Sequence, residues 1–247
     1  MDPVALAARG ESVWHRLGLA ALGVDWVERD EVAHRTQPTT PVFLAGLSLR
    51  AGVPAAVLAD AVAGLHTELA VRDAGATEDL GPFGFVLQAR EPWMLRPPAP
   101  FGTGPALPGL EVAPCRTPAE VRVFERTSVE AFTGNTADWF PGTIHPPAAS
   151  LQVPGLTLLL ARHHGDPVGT AIAATDGTVL NVGGVAVVEA ARHQGIGTHL
   201  TLACLATAPT LPAVLSSSDQ GHSLYRGLGF TDAGPTAIWW HPGPRAS

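Results

Sequence analysis

Apolar and polar positions regroup along this chain in a way that separates a faint first half from a clearly written second half. Residues 3–22 place apolar groups at helical spacing, and the spacing predicts a helix there. Extended pieces are expected at 24–29 and 41–49, a helix over 54–65, and strands after 84. In the second half LEVAPC reads as a strand. TPAEVRVFERTSVEAF reads as a helix with Thr117 as N-cap, Pro118 in the first turn and Glu120 closing a capping box. Short apolar runs then predict strands at 156–162, 167–174 and 178–188, a helix over 195–207, and a strand at 212–217. A helix over 219–227 and strands near 230 and 236–240 complete the order. The class is mixed α/β, of α+β character, with a sheet at its centre.

Proline and glycine crowd PWMLRPPAPFGTGPALPG, residues 92–109, where a packed element could hardly persist. The expected layout is an N-terminal α/β lobe over 1–98, a linker over 99–109 and a second domain over 110–247. The stretches LGPFGFVLQAREPWMLRPP and YRGLGFTDAGPTAIWWHPG share Gly-Phe, a large apolar residue nine positions later (Met94, Trp239) and a proline three beyond it (Pro97, Pro242). The two lobes are expected to end alike.

Composition narrows the function. With 247 residues, 46% hydrophobic and 15% charged, the chain can bury one generous core or two small ones. It contains no apolar run of 18 residues, and MDPVALAARGESVWHR has neither the basic start nor the apolar core of an export signal, so a cytoplasmic protein without membrane association is expected. Cys115 and Cys204 lie far apart, and no metal-ligand spacing stands out among the histidines, so no metal is expected. The net charge is -7 and lysine is absent, all 15 basic residues being arginine. That balance excludes a broad phosphate-binding surface and hence a nucleic-acid partner, because such affinity comes from many displaced counterions. An anionic ligand must be held locally.

One stretch does so. After the apolar run VLNVGGVAVV comes EAARHQGIGTHL, a strand passing into a helix. The first turn of a helix presents N–H groups without partners and the positive end of its dipole. Gly195 and Gly197 clear side chains from that end and allow a concave nest of N–H groups, and Arg192 adds a charge beside it. A dinucleotide turn wants a third glycine where Leu200 stands, and a P-loop wants a lysine the chain does not have.

RHQGIG matches Arg/Gln-x-x-Gly-x-Gly/Ala, and here the chain resembles the GNAT superfamily of acyl-CoA-dependent N-acyltransferases. VGGVAVV lies upstream as that family's fourth strand would. Downstream, SSSDQGHSLYRGLGF resembles the family's Asn-x-x-Ala-x-x-Leu-Tyr-x-x-x-Gly-Phe segment, with Ser218 and Gly221 in place of Asn and Ala. The resemblance covers roughly 108–242. It implies a mostly antiparallel sheet splayed between its fourth and fifth strands, with a smaller N-terminal α/β lobe that tandem members make readable as a degenerate repeat. The first lobe's Arg50-Ala-Gly-Val-Pro-Ala lacks the second glycine, so no CoA site is assigned there.

The resemblance further implies acetyl-CoA as acyl donor and a small-molecule amine as acceptor. Its pantetheine arm would pair with backbone near Val185 and Val187, with the Val185 N–H facing the thioester oxygen. The diphosphate would sit on Arg192, His193, Gln194, Gly195, Ile196, Gly197 and Thr198. Tyr225, the chain's one tyrosine, would give a proton to the departing thiolate. Histone-type relatives carry a glutamate four residues before the position of Val185, where this chain has Asn181, which can order a water but cannot titrate. Asp176, His145, Asp219 and His222 are the other candidates for a base. Trp139, Phe140 and His145, with Trp239 and Trp240, are candidate walls for the acceptor, and equally candidates for plain core packing. Two other readings stand beside this one: a CoA-binding module with little turnover, which the missing glutamate favours, and transfer of a different acyl group. The oligomeric state stays open, a homodimer included.

Overall fold

The computed structural model describes residues 2–137 and 139–243. In chain order the elements are α1 (Pro3–Ala21), β1 (Trp26–Arg29), β2 (Val32–Arg35), β3 (Gly46–Ser48), α2 (Ala55–Val62), β4 (Leu69–Asp73) and β5 (Val86–Arg96). The second half contains β6 (Leu110–Pro114), α3 (Pro118–Thr133), α4 (Pro147–Ser150), β7 (Leu156–His163), β8 (Asp166–Thr175) and β9 (Leu180–Val187). It ends with α5 (Ile196–Thr207), β10 (Ala213–Ser216), α6 (Asp219–Gly227) and β11 (Thr231–His241). All these strands form one mostly antiparallel sheet in the order β1-β2-β3-β4-β11-β5-β10-β9-β8-β7-β6.

The two halves repeat a topology. Among the described strands, β3–β4 and β9–β10 are the parallel pairs, each joined through a helix, α2 in one half and α5 in the other. A parallel pair needs such a crossover. The two self-similar segments are the strands β5 and β11, which pair antiparallel with each other. β5 continues to β10 and β11 continues to β4, so each half lends its last strand to the other.

Successive residues of a strand point to opposite faces, and both faces here are covered. Leu159, Ala161, Ala171 and Ala173 meet Ile196, Leu200, Cys204 and Leu205 of α5. Their neighbours face the other way: Leu158, Leu160 and Ile172 pack on Val121 and Phe124 of α3, and Ala174, Val179 and Val214 pack on Ala7, Val13 and Leu17 of α1. Strands buried on both sides read as continuous apolar runs. α1 lies close on the sheet because Gly10 has no side chain; a Cβ there would stand 2.2 Å from Val214 Cγ2.

The first half differs most from the pattern-based reading. The helix expected over 54–65 is the shorter α2, and only Gly46–Ser48 of 41–49 forms a strand. The strands β2 and β4 were not expected; β4 buries Arg72 and Asp73, so its polarity hides it. The two short strands expected near 230 and 236–240 are one strand, β11, with a register shift between Asp232 and Gly234. That irregularity accommodates Pro235, which has no N–H for a regular ladder.

Candidate active site

The sheet divides where β9 and β10 part. These strands pair only through Ala213–Leu180 and Val214–Asn181. Beyond Asn181, β9 bends away. Between Thr170–Ala186 and Ile172–Gly183 it carries one residue more than β8, and Gly184 in this bulge has φ +57°. A bulge re-aims the following backbone, here at Val185.

At the far end of β9 a single 3-10 turn, Glu189–Ala191, leads into α5. His193 and Gly195 both have positive φ, +63° and +85°, the alternation that makes a concave run of N–H groups. Gly195 is the helix N-cap with no side-chain bond, and the first turn of α5 has no acidic residue. Among the described residues no carbonyl takes the N–H groups of 193–197, whereas those of Thr198 and His199 return to the Gly195 carbonyl. The helix start therefore offers its donors and its dipole to an external anion.

Split and helix start share one cleft of about 670 Å³, lined by Val185, Val187, Arg192, His193, Gly195, Ile196, Gly197 and Tyr225. Ser218 and Leu224 of the second motif, and Phe132, which the sequence pattern did not single out, complete the walls. Gly197 stands opposite α6, where an added Cβ would come within 3.1 Å of Leu224 Cδ1. Arg192 spans the cleft edge: its Nε donates to the Val187 carbonyl at 3.1 Å and its Nη2 to the Ala131 carbonyl at 2.9 Å. It thereby ties the glycine loop to β9 and to the end of α3.

Three residues expected with these lie elsewhere. Gln194 leans back toward the Ala190 carbonyl at 3.5 Å. Thr198 faces a different cleft, under the proline-rich linker, where Arg96 is bound by the carbonyls of Leu228, Pro97, Ala99 and Pro100. Asn181 is buried on the α1 side of the sheet, and its Nδ2 donates to Glu11 Oε2 at 3.3 Å.

α6 places Tyr225 on the cleft wall. Ser218 caps the helix through the Gly221 N–H, and Gly221 leaves room for the phenol ring, since a Cβ there would meet Tyr225 Cε2 at 2.8 Å. Tyr225 packs edge-on against Phe230 at 5.9 Å. Burial, and secondarily the neighbouring Cys204, push the phenol up to about 12, so it stays protonated at neutral pH.

The candidate bases are mostly engaged. Asp176 is desolvated, which raises its pKa, but Thr178 and Arg9 overcome this and hold it at about 2. Burial pushes His145 down to about 4; it packs against Phe124 and Phe43. His222 is paired with Asp232 at 2.7 Å, and Asp219 opens α6. The loop of Phe140 and His145 hangs from buried Glu125, whose carboxylate accepts N–H bonds from Gly142, Ile144 and His145. Trp239 belongs to the core around α2, and Trp240 donates to Glu68, so neither forms a wall of the cleft.

In the first half, the helix after β3 starts differently. Its Ala55 N–H is taken by Glu78 Oε2 at 3.1 Å, a carboxylate of the chain itself. No helix among the described residues is long and apolar enough to cross a membrane.

Residues 154–232 match the family model of the acetyltransferase (GNAT) domain. Comparison with curated proteins finds no match. Among solved structures, a GCN5-related N-acetyltransferase from Kribbella flavida superposes with a TM-score of 0.64 at 19% identity, over 97% of this chain and 96% of that one. A GNAT-family protein from Novosphingobium aromaticivorans gives 0.59 at 18% identity, over 96% and 99%. A tandem GNAT protein from the clavulanic acid biosynthesis pathway gives 0.51 at 16% identity, over 77% and 69%. Residues 154–232 therefore match the GNAT acetyltransferase domain in sequence, and nearly the whole chain shares the fold of the Kribbella flavida protein.

Proposed function

We propose that the protein transfers an acetyl group from acetyl-CoA to the amine of a small molecule by direct attack. The observation that carries this reading is the single cleft in which the unpaired N–H groups of 193–197, the bulged backbone at Val185 and the phenol of Tyr225 lie together. The helix start and its two glycines fit a diphosphate, which needs close backbone approach and several N–H donors at once. A carrier thiol reaching from there along β9 enters the split. Val185 lies in the bulge without a register partner on β8, which leaves its N–H for the thioester oxygen.

In the reaction the amine nitrogen attacks the thioester carbon, a C–N bond forms, and the carbonyl oxygen takes negative charge. The Val185 N–H stabilises that oxygen, a contribution made only as charge develops. The C–S bond then breaks; Tyr225 gives its proton to the sulfur and regains one from the nitrogen. An amine that arrives as an ammonium first gives one proton to water, ordered in this reading by Asn181, so that its nitrogen is neutral when it attacks.

We also take the two lobes, 1–98 and 110–247 about the 99–109 linker, to be tandem copies that exchange their last strands. Only the second serves the donor, because Glu78 fills in the first the place a diphosphate would need. The decisive experiment is CoA release followed with a thiol reagent across a panel of small amines. Release accelerated by an amine supports transfer. Acetyl-CoA binding without amine-dependent release supports instead a binding module, the reading favoured by the absence of a titratable group at Asn181.

A further inference from the structure

We propose that the acceptor subsite is built in part by the first lobe, from Glu11 and Trp14 of α1 together with Asn181, and that it takes a small primary amine bearing an oxygen acceptor beside its amino group, such as an amino acid or its amide. The proposal rests on the donor-site reading above, since it places the acceptor on the other side of the same split.

The first observation is a concentration of buried polar groups between α1 and the sheet. Glu11 is 4% exposed, yet it sits on the sheet-facing stripe of α1, one turn from Trp14 and His15. Its carboxylate meets Asn181 Nδ2 at 3.3 Å, His15 Nε2 at 3.4 Å and Arg72 Nε at 3.7 Å. Burial alone would raise its pKa; Arg72, His15 and Asn181 outweigh this and keep the carboxylate charged. Arg72 is shared with Glu91, at 3.4 Å, and lies over the Trp93 ring. Close packing normally leaves few polar atoms without a partner. Here Trp14 Nε1, Asn181 Oδ1 and His15 Nδ1 are buried without a hydrogen-bond partner among the described residues, and His15 Nε2 and Arg72 Nε have only their ion-pair approach to Glu11.

The second observation is where those atoms point. Gly183 is the next residue on the same face of β9 as Asn181, and it has no side chain. A Cβ there would stand 3.0 Å from Asn181 Oδ1 and 3.6 to 3.7 Å from the Trp14 indole, including Cε2, the atom bonded to Nε1. One point beside Gly183 is therefore flanked by an unpartnered acceptor and an unpartnered donor. Gly183, Gly184 and Val185 are partly exposed, and Val185, two residues beyond Gly183, lines the cleft of the donor site.

Those groups define the ligand. Asn181 Oδ1, with the Glu11 charge behind it, accepts from an ammonium or amine. Trp14 Nε1 donates only, and calls for an oxygen two or three bonds from that nitrogen. A plain alkylamine would leave the indole N–H buried and unsatisfied, and a site built for a hydrogen bond discriminates strongly against the analogue that lacks it. Glu11 acts here as a positioning charge for the amine, with no proton transfer assigned to it.

The test compares glycinamide with propylamine in the CoA-release assay at saturating acetyl-CoA, for the parent, Trp14→Phe and Gly183→Ala, with acetyl-CoA affinity measured by calorimetry on each. The parent is expected to favour glycinamide in kcat/KM by about tenfold or more. Trp14→Phe, which keeps an aromatic ring and loses the N–H, is expected to abolish that preference. Gly183→Ala is expected to raise the glycinamide KM by about tenfold. Both variants should bind acetyl-CoA as the parent does. Equal use of the two amines by the parent, or a preference that survives Trp14→Phe, overturns the proposal and marks the cluster as a structural tie between α1 and the sheet. Loss of the donor-site reading would show separately, as a parent that gives no heat with acetyl-CoA.

Discussion

Filling the start of α5 should separate ligand binding from folding. Gly197 has an ordinary helical backbone, and the nearest atom to an added Cβ is the flexible end of Leu224, at 3.1 Å. Gly197→Ala therefore asks Leu224 to shift by a few tenths of an ångström and gains about 1 kcal/mol of helix propensity. Gly197→Leu extends from the same point into the cleft between α5 and α6. A diphosphate held away from the helix start loses two or three charge-assisted hydrogen bonds of about 1.5–3 kcal/mol each, roughly 3–6 kcal/mol allowing for partial rescue by neighbouring donors. That corresponds to an acetyl-CoA affinity lower by about 10²–10⁴. Calorimetric titration with acetyl-CoA gives the affinity and thermal unfolding gives the stability. Gly197→Leu is expected to keep a melting temperature near the parent's while losing the heat of binding. Acetyl-CoA bound by Gly197→Leu within about twofold of the parent would refute the assignment of the helix start to the diphosphate.

Other expectations follow from single groups. Tyr225→Phe should lower kcat by about 10²–10⁴ with acetyl-CoA affinity unchanged; a variant as fast as the parent removes Tyr225 as the acid. Because burial holds Tyr225 up at about 12, its own ionisation should not limit the rate anywhere between pH 6 and 10, so a basic limb in that range that disappears in Tyr225→Phe contradicts the raised pKa while keeping Tyr225 as the acid. His145 is held down at about 4 against an ordinary 6.5, so the unfolded chain binds its proton first: stability is full above 6.5, falls as pH drops toward 4, and then levels. The slope should total about 3 kcal/mol and vanish in His145→Phe, as read by denaturant titrations across that range. Glu125→Ala leaves the N–H groups of Gly142, Ile144 and His145 without their acceptor and should cost about 2–4 kcal/mol of stability; an unchanged denaturation midpoint would show that the loop does not depend on that carboxylate.

The second half of the molecule was legible because its signals are local. Thr117, Pro118 and Glu120 form the capping box expected of them, and the apolar runs of β7, β8 and β9 need no partner to be recognised. The first half hid for the opposite reason. β4 contains Arg72, whose burial makes sense only once Trp93, Glu91 and Glu11 are in place around it, and Asp73, whose carboxylate accepts from the N–H groups of Gly75 and Glu78. The strand exchange was equally out of reach, since the likeness of 80–98 to 225–243 says that both lobes end alike and not that each end pairs in the other lobe. At the cleft, RHQGIG marked the backbone seat, but it could not show Arg192 turned onto the Val187 and Ala131 carbonyls. Glu11 and His15, one turn apart on the buried face of α1, were the local signs of the polar cluster beside Asn181.

The most direct test of the account is a crystal structure of the protein with acetyl-CoA. It is expected to place diphosphate oxygens within hydrogen-bonding distance of the N–H groups of Gly195, Ile196 and Gly197, with the sulfur in the split between Val185 and Tyr225. A nucleotide seated at the start of α2, or crystals with the cleft beside α5 empty at saturating acetyl-CoA, would contradict it.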